Sequence, residues 1–266
     1  MTDPCVGTST KPKVSVVTVV YNNASTIEDT IRSIIAQTYL PVEHIVIDGV
    51  STDGTLDILR RYEEKIAIIR SEPDQGMYDA MNKGLKLATG DIVGFLNADD
   101  VYAGPHVLKD IVEIIESRQV DACYGDLVYV DKQDSRKITR YWKSRPFQDG
   151  LFENGWMPAH PTFYARKSVY DRFGSFDLAY PRQSDFELTL RLLAVHRIAT
   201  EYIPKLLVRM RSGGASRGFS HILEGNIEAY RACRSHGLQV TPFFIIKKIL
   251  SRIPQFFYRD HLGTLS

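Results

Sequence analysis

Four polar clusters in the first hundred residues each follow a short apolar run: Asn22-Asn23, Asp48, Asp74-Gln75-Gly76-Met77 and Asn97-Ala98-Asp99-Asp100. Adjacent carboxylates such as Asp99 and Asp100 are oxygen ligands of the kind that hard divalent cations take beside phosphates. The same residues would also serve as a plain strand-ending turn. Asp53, in Ser51-Thr52-Asp53-Gly54-Thr55, reads equally as a helix cap or as part of a site. What separates a site from a scatter of polar loops is whether the fold carries all four clusters to one place.

The element order does so. Val14 to Val20 is β-branched on both faces, the mark of a parallel strand covered on each side by helices. Ser25 or Thr26 caps a helix from about Ile27 to Gln37, with Ile27, Ile31, Ile34 and Ile35 as its stripe. A strand over His44 to Asp48, a helix over Thr55 to Glu64 and a strand over Ile66 to Ser71 follow. Next come a helix over Tyr78 to Ala88 and a strand over Asp91 to Leu96. Strands alternating with helices predict an α/β fold with a Rossmann-like, mostly parallel central sheet flanked by helices. In such sheets ligands bind outside the carboxyl ends of the strands, where all four clusters fall.

Beyond Pro105 the pattern is less regular and reads as mixed or antiparallel. It gives a helix over Val107 to Ser117 and two short strand pieces around Gly125-Asp126. A hairpin partner spans Lys137 to Trp142, and Pro158 to Tyr164 is a loop entering a strand. Helices over Lys167 to Phe173 and Asp185 to Ala194, the second with Ser184 as cap, precede a strand over Ile198 to Met210. A last helix, about Ser220 to His236, leads into a basic, aromatic C-terminal segment.

Bulk properties narrow the function classes. A net charge of +1 gives no global attraction to nucleic acid, and none is expected as a partner. The three cysteines, Cys5, Cys123 and Cys233, have neither zinc nor disulfide spacing and fit a reducing cytoplasm. No run of apolar residues is long enough to span a bilayer, and residues 1–12 read as a frayed tail with no secretion signal.

Five ordered segments carry a resemblance to a known family: TVVYNNASTIEDTIRSIIAQTY, VIDGVSTDGT, SEPDQGMYDAMNKGLKLATGD, FLNADD and HPTFYARKSVYDRFGSFD. Together they resemble an inverting family 2 glycosyltransferase with the GT-A fold, over residues 13–216, roughly four-fifths of the chain. The resemblance implies a catalytic domain over 13–216 and a C-terminal helical extension over 217–266. It implies that Tyr21, Asn22, Asp48, Asp74, Asn82, Lys83, Asp99 and Arg211 line the nucleotide-sugar site, Asp48 reading a base N–H. The Asn-Ala-Asp-Asp element is similar to the family's D-x-D type, with Asn97 at the commonest first Asp. Asp100, with Asp99, would then hold Mg²⁺ or Mn²⁺, and the two roles are interchangeable at this stage. Ser184-Asp185-Phe186-Glu187-Leu188 with Arg191 resembles the base-bearing segment, so Asp185 is expected to be the general base. As a helix-start charge, Asp185 has an ordinary explanation too. His160 and Glu187 are expected on the acceptor side. Arg211-Ser212-Gly213-Gly214-Ala215-Ser216 resembles the family's closing loop, with Arg211 or Ser216 at the diphosphate.

The implied activity is transfer of a hexose or N-acetylhexosamine from a UDP-sugar to an acceptor hydroxyl. The acceptor expected is a lipid-linked glycan of surface-polysaccharide (O-antigen or capsule) synthesis. The rival is a non-catalytic nucleotide-sugar-binding module that kept the fold. From Pro242 to Arg259, apolar residues at helical spacing alternate with Lys247, Lys248, Arg252 and Arg259, and Pro254 would kink the helix. Such a helix either lies on the inner face of an anionic membrane or packs on the core with a solvated basic face.

Overall fold

The computed structural model describes residues 11–134, 136–213, 219–241, 243–252 and 255. Val14–Val20 (β1) forms the strand its β-branched run predicts, with every residue but Val19 buried. It lies between two parallel neighbours, Val42–Asp48 (β2) and Ile92–Phe95 (β4), and Ile68–Ser71 (β3) extends the parallel set beyond β2. Parallel strands need crossovers, and Ile27–Ile35 (α1), Thr55–Arg61 (α2) and Met77–Leu87 (α3) supply them. The stripe of α1 is Ile27, Ile31 and Ile34, whereas Ile35 turns outward. Gly84 lets α3 press on the sheet, because a Cβ there would come within 2.3 Å of Val17 Cγ1.

Register does the positioning. Val20 pairs with Asp48 and Asp48 with Ser71, while Phe95 lies beside Val17. The carboxyl ends of all four strands therefore open on one edge, as the element order predicts.

The second half of the sheet mixes directions. Its elements are Val101–Tyr102 (β5), Val107–Arg118 (α4), Ala122–Val130 (β6), Ile138–Trp142 (β7), Tyr164–Arg166 (β8), Lys167–Phe173 (α5), Ser184–Leu190 (α6) and Thr200–Arg211 (β9). The sheet runs β3-β2-β1-β4-β8-β6-β9-β5, with β7 paired to β6. The β6–β9 pair is parallel; the pairs β4–β8, β6–β8, β6–β7 and β5–β9 are antiparallel. Where two strand pieces are expected at Gly125-Asp126, β6 is one strand. The irregularity is a register shift against β9, with the Thr162 hydroxyl bonded to both backbone groups of Gly125.

Two expected caps are not made. Thr26 precedes α1 without a capping bond and gives its hydroxyl to Asn23 Oδ1 and to the Ala98 carbonyl. Ser184 is the first residue inside α6, its hydroxyl without a partner, and Gln183 stands at the cap position. The helix expected to run to Ala194 changes at Arg191 into a wider π-turn, Arg191–Val195.

After β9 come Phe219–Ser235 (α7) and Phe244–Leu250 (α8). Ala229, Ala232, Cys233, Val240 and Phe244 enter the same buried cluster as Phe152 and Phe186, so this segment closes the core. One face of α8 packs on the core, with Phe244 and Lys248 buried, while Phe243, just before it, and Ile246, Ile249 and Leu250 are 49–64% exposed. Cys123 and Cys233 are free and buried. Residues 1–10 of the expected tail, including Cys5, lie outside the described residues, as do Gly214 to Ser216, Pro254 and Arg259.

One buried group makes the sheet sensitive to acid. His44 on β2 places Nε2 3.0 Å from Thr18 Oγ1 on β1, and burial drives its pKa from 6.5 to about 3. Below pH 6.5 the unfolded chain takes up a proton that the folded chain refuses until about pH 3. Stability should therefore fall with pH across that window, by at most about 1.4 kcal/mol per unit. Melting curves between pH 6.5 and 4 should show this slope, and His44→Gln should flatten it; equal slopes would locate the acid sensitivity elsewhere.

Candidate active site

The ends of β1, β2 and β3 are laced together by side chains. Asp48 is fully buried; its Oδ2 accepts from the Ser51 amide (3.1 Å) and the Ser71 hydroxyl (2.6 Å), while Oδ1 has no partner. A buried carboxylate oxygen without a donor is costly, and a ligand N–H would satisfy it. Asn22, at φ 48°, accepts from the Thr52 amide at 2.8 Å through Oδ1 and donates its own amide to Ser51 Oγ at 2.8 Å. Its side chain thus locks the first two loops together. Asp53 caps: Oδ1 accepts from the Thr55 amide and hydroxyl, and Oδ2 from the Ala24 amide.

Tyr21 and Asp74 meet over Gly49. A Cβ on Gly49 would lie 2.7 Å from Asp74 Oδ2 and 3.4 Å from Tyr21 Cδ2. Tyr21 is 67% exposed and leaves a ring face open beside Asp48's strand end. Asp74 Oδ1 accepts from the Gly76 amide at 2.8 Å, which holds the Asp-Gln-Gly turn in shape.

Two residues expected to face the ligand are committed elsewhere. Asn82 exchanges both ends of its amide with the backbone of Phe176, at 2.9 and 3.0 Å. Lys83 donates to the Pro73 carbonyl at 2.6 Å and pairs with Glu72 and Asp79 at 3.3 and 3.4 Å. Both brace the walls of the site.

The Asn97–Asp100 turn is held from beneath by the start of α1: the hydroxyls of Thr26, just before it, and Thr30, within it, donate to the carbonyls of Ala98 (3.1 Å) and Asp100 (2.8 Å). Asp100 is fully buried, with Oδ2 3.4 Å from Asn97 Nδ2; Asp100 Oδ1 and Asn97 Oδ1 have no partner. Burial, and then the neighbouring Asp99 charge, raise the Asp100 pKa well above the usual carboxylate range. Burial raises Asp99 as well, against the pull of Arg211. Arg211, at the end of β9, donates to the Asp99 carbonyl at 3.2 Å and to Asp29 at 2.5 Å. The orphaned Asp100 oxygen beside the Asp99 carboxylate fits a hard cation whose remaining ligands are phosphates and water. Among the described residues no cluster of three or more His, Cys, Asp or Glu could hold a metal by itself.

Asp185, in the first turn of α6, faces the start of α3. Its Oδ1 accepts from Tyr78 Oη at 2.8 Å and from the Phe186 amide at 2.9 Å. Burial, then the Asp185 charge, push the Tyr78 pKa far up, so the phenol remains a donor. Among the described residues no hydrogen bond engages Oδ2. His160 is buried between the rings of Phe95 (5.5 Å) and Phe176 (5.4 Å). Burial lowers its pKa although the Asp185 charge opposes this, so the imidazole is neutral. Glu187 is held inside by protein partners. It is 2% exposed, forked to Arg191 at 2.8 and 3.1 Å, and 2.8 Å from His236 Nε2. Burial raises its pKa, but the bonds from His236 and Arg191 outweigh that and hold it below the usual value.

Tyr78 and Tyr129 are absent from the sequence reading of the site. Tyr78 reaches Asp185 across 107 residues, which spacing does not reveal. Tyr129, on β6, is raised by burial, drawn down by Arg140 and Arg252 and pushed up by both Asp100 and Asp185. The Arg140 guanidinium lies 4.7 Å from the centre of its ring.

The sequence profile described as Glycosyl transferase family 2 matches residues 15–174. The chain belongs to that family. An uncharacterized glycosyltransferase of Mycobacterium tuberculosis is 34% identical over 191 residues, covering 69% of this chain and 70% of its own. A PGL/p-HBAD biosynthesis glycosyltransferase of Mycobacterium bovis is 30% identical over 196 residues, 72% and 74% of the two chains. Staphylococcus aureus TarS, solved with UDP-GlcNAc, superposes with a TM-score of 0.62 at 19% identity, covering 88% of this chain and 69% of that one. A Pyrobaculum calidifontis mannosyltransferase, solved with GDP-Man and Mn²⁺, gives 0.63 at 21%, over 90% and 70%. The fold is accordingly GT-A, and this member of the family is a glycosyltransferase.

Two substitutions separate bracing from binding. Gly49→Ala would drive a methyl into Asp74 and should weaken nucleotide binding roughly tenfold with little change in melting temperature; calorimetric titration checks this. Glu187→Gln removes half of a buried ion pair and should cost about 3 kcal/mol of stability. Nucleotide affinity of the protein that remains folded should be unchanged, as denaturant melts and titration together would show.

Proposed function

We propose that the enzyme transfers a hexose or N-acetylhexosamine from a UDP-sugar to an acceptor hydroxyl with inversion at the anomeric carbon. The observation that carries this reading is a pair of orphaned, buried carboxylate oxygens on one sheet edge, Asp48 Oδ1 and Asp100 Oδ1. The first suits a uracil N–H and the second a cation-bound diphosphate. TarS crystallised with UDP and with UDP-GlcNAc supports a UDP donor, while the mannosyltransferase with GDP-Man and Mn²⁺ supports the cation.

In this reading Tyr21 stacks on the base, and Asp74 keeps the third loop against it. Asp100 and Asp99 hold Mg²⁺ or Mn²⁺, which when bound neutralises charge on the diphosphate. Arg211 adds a fixed positive charge beside the same carboxylates. The acceptor oxygen forms a bond to C1 of the sugar as the C1–O bond to UDP breaks. Its proton passes to Asp185 Oδ2, while Tyr78 and the Phe186 amide hold Oδ1 and so fix the direction in which the base points. Neutral His160 and Tyr129 border the acceptor side. The acceptor proposed is a lipid-linked glycan of surface-polysaccharide synthesis. Its membrane position suits the outward apolar face of α8 and Lys247, with the protein on the cytoplasmic surface. No helix among the described residues is long and apolar enough to cross a membrane.

Asp185→Asn should lower transfer by about 10²–10⁴-fold and leave UDP affinity nearly intact. The deciding experiment assays UDP-, GDP- and dTDP-sugars, each with Mn²⁺ or EDTA, for donor hydrolysis and thermal shift. Activity with a UDP-sugar that EDTA abolishes is the expected outcome. A thermal shift with a donor but hydrolysis of none would favour the binding-module reading. Indifference to all three would overturn the donor assignment, and a retained anomeric linkage in the product's NMR spectrum would overturn inversion.

A further inference from the structure

Lys248 is 1% exposed, on a helix outside the segment that the family profile matches. Its ammonium donates to Gln183 Oε1 at 2.8 Å and lies 4.5 Å from the centre of the Phe186 ring. Gln183 and Phe186 flank the first turn of α6 on either side of Asp185. The amine from α8 therefore grips both shoulders of the turn that carries the base. The charged and titratable groups facing it are Asp185 on α6, Glu228 and Cys233 on α7, and Arg252 just past α8. Its stem has no slack, since a Cβ on Gly155 would come within 2.4 Å of Lys248 Cβ.

An ammonium in this place is a poor stabiliser. Burial, helped by Arg252, pushes its pKa down to about 7. A methionine would fill the same elongated space without burying a charge, and such exchanges are often neutral or favourable to stability. What the amine does supply in place of stability is its hold on Gln183 Oε1 and the Phe186 ring.

We propose that Lys248 is a positioning residue for the transfer reaction: by fixing Gln183 and Phe186 it aims the Asp185 carboxylate, so that seating of α8 is a condition of turnover. This rests on Asp185 being the base.

The test uses the full chain and compares Lys248→Met, Gln183→Leu, the double variant and Asp185→Asn for kcat, donor KM, UDP affinity and melting temperature. Lys248→Met should melt no lower than the parent and keep donor KM and UDP affinity, while kcat falls at least about tenfold from misaimed geometry. Gln183→Leu should lower kcat at unchanged donor KM but melt lower, since it strands the buried Lys248 amine. The double variant should recover that melting temperature and lose no more kcat than the worse single change, because the two act through one contact. A parental kcat in Lys248→Met, or a kcat loss matched by the loss of folded protein, would overturn the proposal. If Lys248→Met does not fold, the kcat and KM of Gln183→Leu decide in the same way. Turnover surviving in Asp185→Asn would remove the base assignment and this inference with it. A dead Asp185→Asn beside a normal Lys248→Met would remove the inference alone.

Discussion

A carboxylate kept out of water with one oxygen unbonded is the constraint around which this molecule is arranged. Asp48 and Asp100 each satisfy one oxygen within the protein and leave the other bare. Folding a chain with two such groups is unfavourable unless the scaffold around them is stiff enough to resist collapse onto them. The parallel strands β1 to β4 provide that stiffness, since their carboxyl ends are fixed by register and their loops are stapled by Asn22, Asp53 and Asp74. The unfavourable groups are where ligand binding has most to gain.

The elements of that scaffold were readable because they rest on local signals. A β-branched run covered on both faces marks β1, and alternation with helices fixes the parallel set, so all four polar clusters could be placed on one edge. The second half resisted because its strands are short and pair across long separations: β5 has only two residues, and β6 meets three partners along one strand.

Side-chain roles followed the same division. Asp48 ends β2 and Asp99 and Asp100 lie in the loop after β4, where position in the sheet alone marks them as candidates. Asn82 and Glu187 stand in similarly suggestive motifs, yet tertiary partners claim them: Phe176, 94 residues away from Asn82, and His236, 49 residues from Glu187. Lys248 was hidden by its own pattern. Basic residues at helical spacing suggest a solvated face, and only the packing of Phe244 and Gly155 shows which of them turns inward.

The contacts that complete the site also set when it can exist. Tyr78 reaches Asp185 over 107 residues, the Asp99 carbonyl meets Arg211 over 112, and Lys248 grips Gln183 over 65. Contacts of such separation form late, after the closure entropy of the intervening chain has been met. A growing chain emerging from the ribosome would assemble β1 to β4, with their loops, long before Asp185 meets Tyr78. The edge that those strands open would thus precede, in the life of each molecule, the contacts that hold the first turn of α6.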